Sequence, residues 1–213
     1  MNKVLTYQFQ NPALLKQALT HPSVSGSRNY ERLELLGDSV LSLVITERLL
    51  ALYADEAEGD IVKRRAALVN GTSLAEVAKE IGLGEQLILG ESELQGGGRE
   101  NMRNLENAME AVIGAVYEDG GLAAAREVVL QLFEARITDM KTPPKDPKTT
   151  LQEWAQGLGK PLPEYKLIGQ TGPSHAPEFV VEVRVEGLTP ITAEGPNKRL
   201  AERLAAEKLL TLI

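Results

Sequence analysis

The chain has 213 residues, 43% of them apolar, with 23 basic and 30 acidic side chains, two histidines and no cysteine. That length allows one domain or two modest ones, and that much apolar matter excludes wholesale disorder. The lack of cysteine excludes disulfides, thiolate nucleophiles and cysteine-based zinc sites, and a net charge of −7, taken alone, argues against a nucleic-acid partner.

In chain order, the first fifteen residues lack the continuous apolar core and cleavage site of a signal peptide, and no run of 18 apolar residues follows. A soluble, cytoplasmic protein with no membrane association is expected. Helical periodicity then runs from about Asn11 to Leu19, Glu31 to Tyr53, Ile61 to Gly71, Ser73 to Ile81, Met102 to Gly120 and Leu122 to Met140. Glycine-rich turns at Ser25-Gly26-Ser27, Gly96-Gly97-Gly98 and Asp119-Gly120-Gly121 punctuate these segments. The stretch Lys141-Thr142-Pro143-Pro144-Lys145-Asp146-Pro147 reads as a stiff, extended linker. Beyond it the period changes. Thr149–Leu158 is helical and Glu164–Ile168 extended. Glu178–Val185 alternates strictly, with Phe179, Val181, Val183 and Val185 on one face. Leu188–Ala193 is a weak third strand, and Asn197–Ile213 a closing helix. The expected fold is an all-α domain at 1–140, a linker at 141–147 and a small α+β domain of order α-β-β-β-α at 148–213. Charge follows the same division: 13 basic and 21 acidic residues before Lys141, against 10 and 9 from there on.

Acids stand where a helix should be buried. Glu31, Glu34 and Asp38 fall within an arc of roughly 60° at 100° per residue, next to the core run Val40, Leu41, Leu43, Val44 and Ile45. Glu110 sits inside a second apolar, small-residue run, with Asn107 one turn before it on the same face. An unpaired buried carboxylate costs several kcal/mol unless it is protonated, paired or bound to metal. Salt bridges to Arg32, Arg103 or Lys63 would satisfy these acids structurally. Otherwise, hard oxygen donors without histidine or cysteine favour Mg²⁺ or Mn²⁺, and clustered carboxylates holding Mg²⁺ commonly act on phosphates. Other chemistries fare worse. No phosphate-binding G-x-x-x-x-G-K-[ST] loop is present, Ser39 lies mid-helix without a histidine partner, and His21 precedes Pro22 as a helix closer.

The segment from Asn29 to Leu41, Asn-Tyr-Glu-Arg-Leu-Glu-Leu-Leu-Gly-Asp-Ser-Val-Leu, resembles the signature helix of the ribonuclease III family. The resemblance extends through Thr20-His21-Pro22-Ser23, Glu58-Gly59-Asp60 and the Glu110-Ala111 helix, and the tail resembles a double-stranded-RNA-binding domain. It implies Glu34, Asp38, Asn107 and Glu110 as metal ligands, with Asp38 and Glu110 the catalytic pair, and Glu31 and Glu58 as supporting acids. It further implies a homodimer in which each site hydrolyses one strand of duplex RNA with Mg²⁺, Mn²⁺ being a possible substitute. The products would carry 5′-phosphate and 3′-hydroxyl ends with two-nucleotide 3′ overhangs, and ribosomal RNA precursors and some messenger RNAs would be the substrates.

Two departures accompany the resemblance. The family usually has aspartate where this chain has Asn107, whose amide oxygen can still coordinate Mg²⁺ but brings no charge. Leu35 stands where the family often has a phenylalanine that plugs into the partner subunit; the smaller side chain implies a smaller dimer contact, and ordinary core packing is the other reading. In the tail, the resemblance points to Gln152 and Glu153 on the first helix, to His175 in the loop between strands, and to Asn197, Lys198 and Arg199 at the start of the last helix. Such domains read duplex shape across two minor grooves and the phosphates between them. Two alternatives stand beside an active endoribonuclease. One is a duplex-RNA-binding protein with weakened or no cleavage because of Asn107. The other is a helical metal-dependent phosphohydrolase for small substrates, against which the tail argues.

Overall fold

The computed structural model describes residues 7–26, 28–173 and 177–213. They fall into two compact units divided between Pro144 and Lys145, each with its own apolar core.

In the first unit, α1 (Pro12–Ala18) opens on Pro12 with Asn11 as cap, its side chain accepting from the Ala13 N–H at 3.1 Å. There follow α2 (Glu31–Leu52), α3 (Glu58–Leu68), α4 (Gly71–Glu80), the single turns α5 (Leu83–Gln86) and α6 (Glu91–Gln95), and α7 (Met102–Asp139). Helix α7 is interrupted at Gly121, whose φ of 74° is a left-handed conformation, so the two helical segments expected on either side of Gly120-Gly121 are both present. Its stretch Ala111–Val116 is buried on all sides, which makes α7 the central helix and explains why the sequence there loses its polar face.

The helices α2 and α7 cross at two glycines. A Cβ on Gly37 would collide with the carbonyl oxygen of Glu110, and a Cβ on Gly114 would collide with the carbonyl oxygen of Leu33. Each helix thus presents bare backbone to the other, closer than any side chain allows.

The boundaries of α3 and α4 lie one to three residues before the expected ones. Glu58 and Asp60 fill the acidic first turn of α3, where the helix dipole favours them, and Asn70, rather than continuing α3, caps α4 by accepting from the Ser73 N–H at 3.0 Å. At the end of this unit, Arg64 is buried. It donates to both carboxylate oxygens of Glu56 and to the carbonyl of Met140, and its guanidinium lies 3.7 Å from the centroid of Tyr53. The Tyr53 hydroxyl donates to the carbonyls of Ile137 and Met140 at 2.9 and 3.2 Å.

The second unit has the expected α-β-β-β-α order: α8 (Pro147–Gly157), an antiparallel sheet β1 (Glu164–Thr171), β2 (Glu178–Arg184), β3 (Ile191–Gly195), and α9 (Lys198–Leu210). Helix α8 starts at Pro147, the last residue of the expected linker, because Asp146 caps it by accepting from the Lys148 and Thr149 N–H groups. Strand β1 runs on to Thr171 instead of ending at Ile168: pairing passes from Leu167↔Val181 to Gly169↔Val180, leaving Ile168 as a bulge. Val181, Val183 and Val185 are all buried, as the alternation of β2 predicts, and Val183 and Val185 share a core with Leu151, Ala155, Ala205 and Leu209.

Candidate active site

The glycine crossing decides which acids meet. Glu34 and Asp38 lie one turn before and one residue after Gly37 on α2, and Glu110 lies one turn before Gly114 on α7, so close helix contact lays them side by side. Glu110 is half-buried, and its carboxyl is pushed up to about 8, first by burial and then by the negative charges of Asp38, Glu106 and Glu34. Glu34 is also half-buried and raised, by burial and by Glu31 and Glu106, with Arg103 opposing. Asp38 and Glu31 are exposed, and Glu31 accepts from the Asn29 amide at 2.8 Å. Among the described residues none of these four acids is in a salt bridge, and Lys63 is engaged with Asp60. Arg103 thus acts on Glu34 from a distance without pairing with it, which leaves the salt-bridge alternative without a direct contact among the described residues.

Asn107 is half-buried beside them, and its side-chain amide acts on the Tyr30 hydroxyl, partly offsetting the upward shift of that phenol. Tyr30 is buried, and its phenol is raised to about 12 chiefly by that burial, then by Glu34, Glu31 and Glu93. The segment Thr20–Ser23 backs this arrangement: the Tyr30 N–H donates to the Thr20 carbonyl, and the His21 ring stands edge-on to Tyr30 at 5.6 Å. His21 also bonds Ser23, a structural role in keeping with its place before Pro22.

Glu58 is exposed at the start of α3 and is not among the charges that shift Glu34 or Glu110. Glu106 was missed by sequence reasoning, yet it stands four residues before Glu110 on the same face of α7 and acts on both Glu34 and Glu110. That i,i+4 spacing was the available signal. Among the described residues no three acid or histidine side chains are gathered closely enough to hold a metal ion as they stand. The donor chemistry nonetheless fits a hard cation: oxygen ligands only, three of the four half-buried, with Glu110 crowded by like charge. Leu35 projects from α2 with 75% of its surface exposed, so ordinary core packing does not account for it.

In the second unit, Gln152 and Glu153 are exposed on α8, with Glu153 3.3 Å from Lys145. Asn197 caps α9, accepting from the Leu200 N–H at 2.9 Å, and Lys198 and Arg199 are exposed in its first turn, in no salt bridge among the described residues. Lys148, by contrast, is occupied by Glu202 at 2.5 Å and lies 4.6 Å from the Tyr165 ring. His175 lies outside the described residues.

These features define a two-part protein: a helical nuclease unit built around carboxylates, and a small duplex-RNA-recognition unit. A family model described as ribonuclease-III-like matches residues 11–136, and one described as double-stranded RNA binding motif matches 147–213. Ribonuclease 3 of Ehrlichia ruminantium (strain Welgevonden) is 48% identical over 217 residues, covering 100% of this chain and 96% of that protein. Ribonuclease 3 of Wolbachia pipientis wMel is 48% identical over 219 residues, covering 100% and 94%. The nuclease domain of ribonuclease III from Campylobacter jejuni, known for structural flexibility in the region involved in its dimer formation, superposes with a TM-score of 0.60 at 45% identity, over 61% of this chain and 91% of that one. Dicer from Pichia stipitis, at 23% identity and a TM-score of 0.51 over 96% of both chains, shares the fold alone. The chain belongs to the ribonuclease III family of endoribonucleases and carries a double-stranded RNA binding motif. Among the described residues no helix is long and apolar enough to cross a membrane.

Proposed function

We propose that this protein is a Mg²⁺-dependent, homodimeric endoribonuclease that hydrolyses phosphodiester bonds of duplex RNA. The observation that carries the reading is Glu110: a half-buried carboxyl on the central helix, facing Asp38 and Glu34 across the glycine crossing, with no cation beside it among the described residues. Glu34, Asp38 and Glu110 would hold the cation by carboxylate oxygens, and Asn107 by its amide oxygen. Mn²⁺ would serve in place of Mg²⁺. When bound, such a cation lowers the pKa of water and neutralises charge on the reacting phosphoryl group. The crossing fixes the spacing of the donors, and Glu31 and Glu58 add exposed negative charge around them. Products carry 5′-phosphate and 3′-hydroxyl ends, and pairing of two sites, one per strand, leaves two-nucleotide 3′ overhangs. Leu35 is the apolar contact between subunits. The second unit delivers the duplex: Gln152, Glu153 and the His175 loop meet its minor grooves, while Asn197, Lys198 and Arg199 meet phosphate at the start of α9. Processing of ribosomal RNA precursors and some messenger RNAs in the cytoplasm is the work such an enzyme performs.

The test is incubation of purified protein with long duplex RNA in Mg²⁺ or in EDTA. Short products in Mg²⁺ alone are expected, and Glu110→Gln abolishes them while duplex binding persists. A shifted but intact duplex under both conditions would make the chain a binding protein only.

A further inference from the structure

Helix α7 shows the cation site a face made of Arg103, Glu106, Asn107 and Glu110, which lie three or four residues apart. Of its two members nearest Glu110, Asn107 is neutral. Glu106 carries the charge. It is half-buried and stands one helical turn before Glu110 on the same face of α7. Its carboxylate has a seat of its own. It lies flat over Gly71, at the first position of α4, where any Cβ would strike both oxygens and the carbon between them. Glycine at position 71 therefore leaves room for a carboxylate at this edge of the site, next to the positive end of α4. No salt bridge to Glu106 exists among the described residues, so its charge is not spent on a lysine or arginine there.

We infer that Glu106 supplies, one residue early, the negative charge that the neutral Asn107 does not bring to the cation site. It acts as a positioning residue through the field it adds beside Glu34 and Glu110. The inference rests on the cation-site reading above, and its test separates the two. Mn²⁺ binding to the full-length protein is measured without RNA, by calorimetry or electron paramagnetic resonance, on the wild type and on Glu110→Gln, Glu106→Gln and Glu106→Gln/Asn107→Asp. The melting temperature of each is taken in EDTA. Outer-sphere charge near a metal commonly changes affinity 10- to 100-fold. The expected result is Mn²⁺ binding to the wild type, its loss in Glu110→Gln, a weakening of about tenfold in Glu106→Gln, and recovery of most of that loss in the double variant, which returns one charge to the same face. Wild-type affinity in Glu106→Gln overturns the inference and leaves the cation site standing. A weakened Glu106→Gln that the double variant fails to rescue, with a lowered melting temperature in EDTA, makes Glu106 a structural partner of α4 and also overturns it. Equal Mn²⁺ binding by the wild type and Glu110→Gln removes the cation-site reading first, and the inference with it.

Discussion

Glu110 is a carboxylic acid held among other acids, and its proton couples folding to pH. Its ordinary value of 4.5 applies to the unfolded chain, whereas in the folded protein it rises to about 8. Folding therefore favours the protonated form: the stabilisation is fully present below the unfolded value and is lost as pH rises through the folded one. In EDTA, the wild type should lose melting temperature between about pH 4.5 and 8, and Glu110→Gln should lose less. Parallel profiles would dissociate Glu110 from that loss. Asn107→Asp should keep or raise cleavage and lower the Mg²⁺ needed, because it adds charge to an amide ligand; a cleavage titration that shows lost activity counts against position 107 as a ligand. At this scale the sequence was legible wherever spacing alone decides. The stripe of Glu34 and Asp38 and the oddity of Glu110 needed only helical geometry. Glu106 has the same spacing, but its seat depends on Gly71, 35 residues earlier in the chain, which no local pattern reveals.

Among the elements, the pairing of α2 with α7 fixes the site, and it does so through absent side chains. Gly37→Ala would drive a methyl group into the backbone of Glu110, a contact that no rotamer relieves. It should lower stability by about 3 kcal/mol, read from a urea midpoint, and cleavage should fail with it. Ser39→Ala, two residues on, exposed and bonded only to the Leu35 carbonyl at 3.3 Å, should stay within about 0.5 kcal/mol of the wild type. Long helices were readable from their period; their ends were less so. The acids that begin α3 look like loop residues until the dipole they answer is counted, and α5 and α6, of four and five residues, are too short for periodicity to register. Strand β1 runs past the expected end at Ile168 because the bulge there shifts the pairing without ending it.

Over the whole molecule, a net charge of −7 is the sum of unlike parts, −8 before Lys141 and +1 from Lys141 onward. The first part concentrates acids around Glu110, and the second leaves Lys198 and Arg199 exposed at a helix start, so overall charge describes neither. Replacing both by alanine in the full chain should weaken duplex-RNA binding evenly across sequences and reduce the salt slope by roughly one to two, with Mn²⁺ affinity unchanged. An unaltered slope would take those side chains off the phosphates. Two units, each with its own core, were anticipated by the shift from helical to alternating period near residue 141. The pinning of the Ile137 and Met140 carbonyls by Tyr53 and Arg64 was not, since nothing in sequence marks Arg64 as buried.

The meeting of Gly37 with Gly114 has one more consequence. Because main chain rests on main chain there, the separation of α2 and α7 is set without reference to any rotamer, and the acids on either side inherit a fixed ruler. Exchanging a side chain nearby alters how much charge stands at a mark on that ruler, not where the marks lie. Chemistry at this crossing is thus adjustable in composition while its metric stays constant.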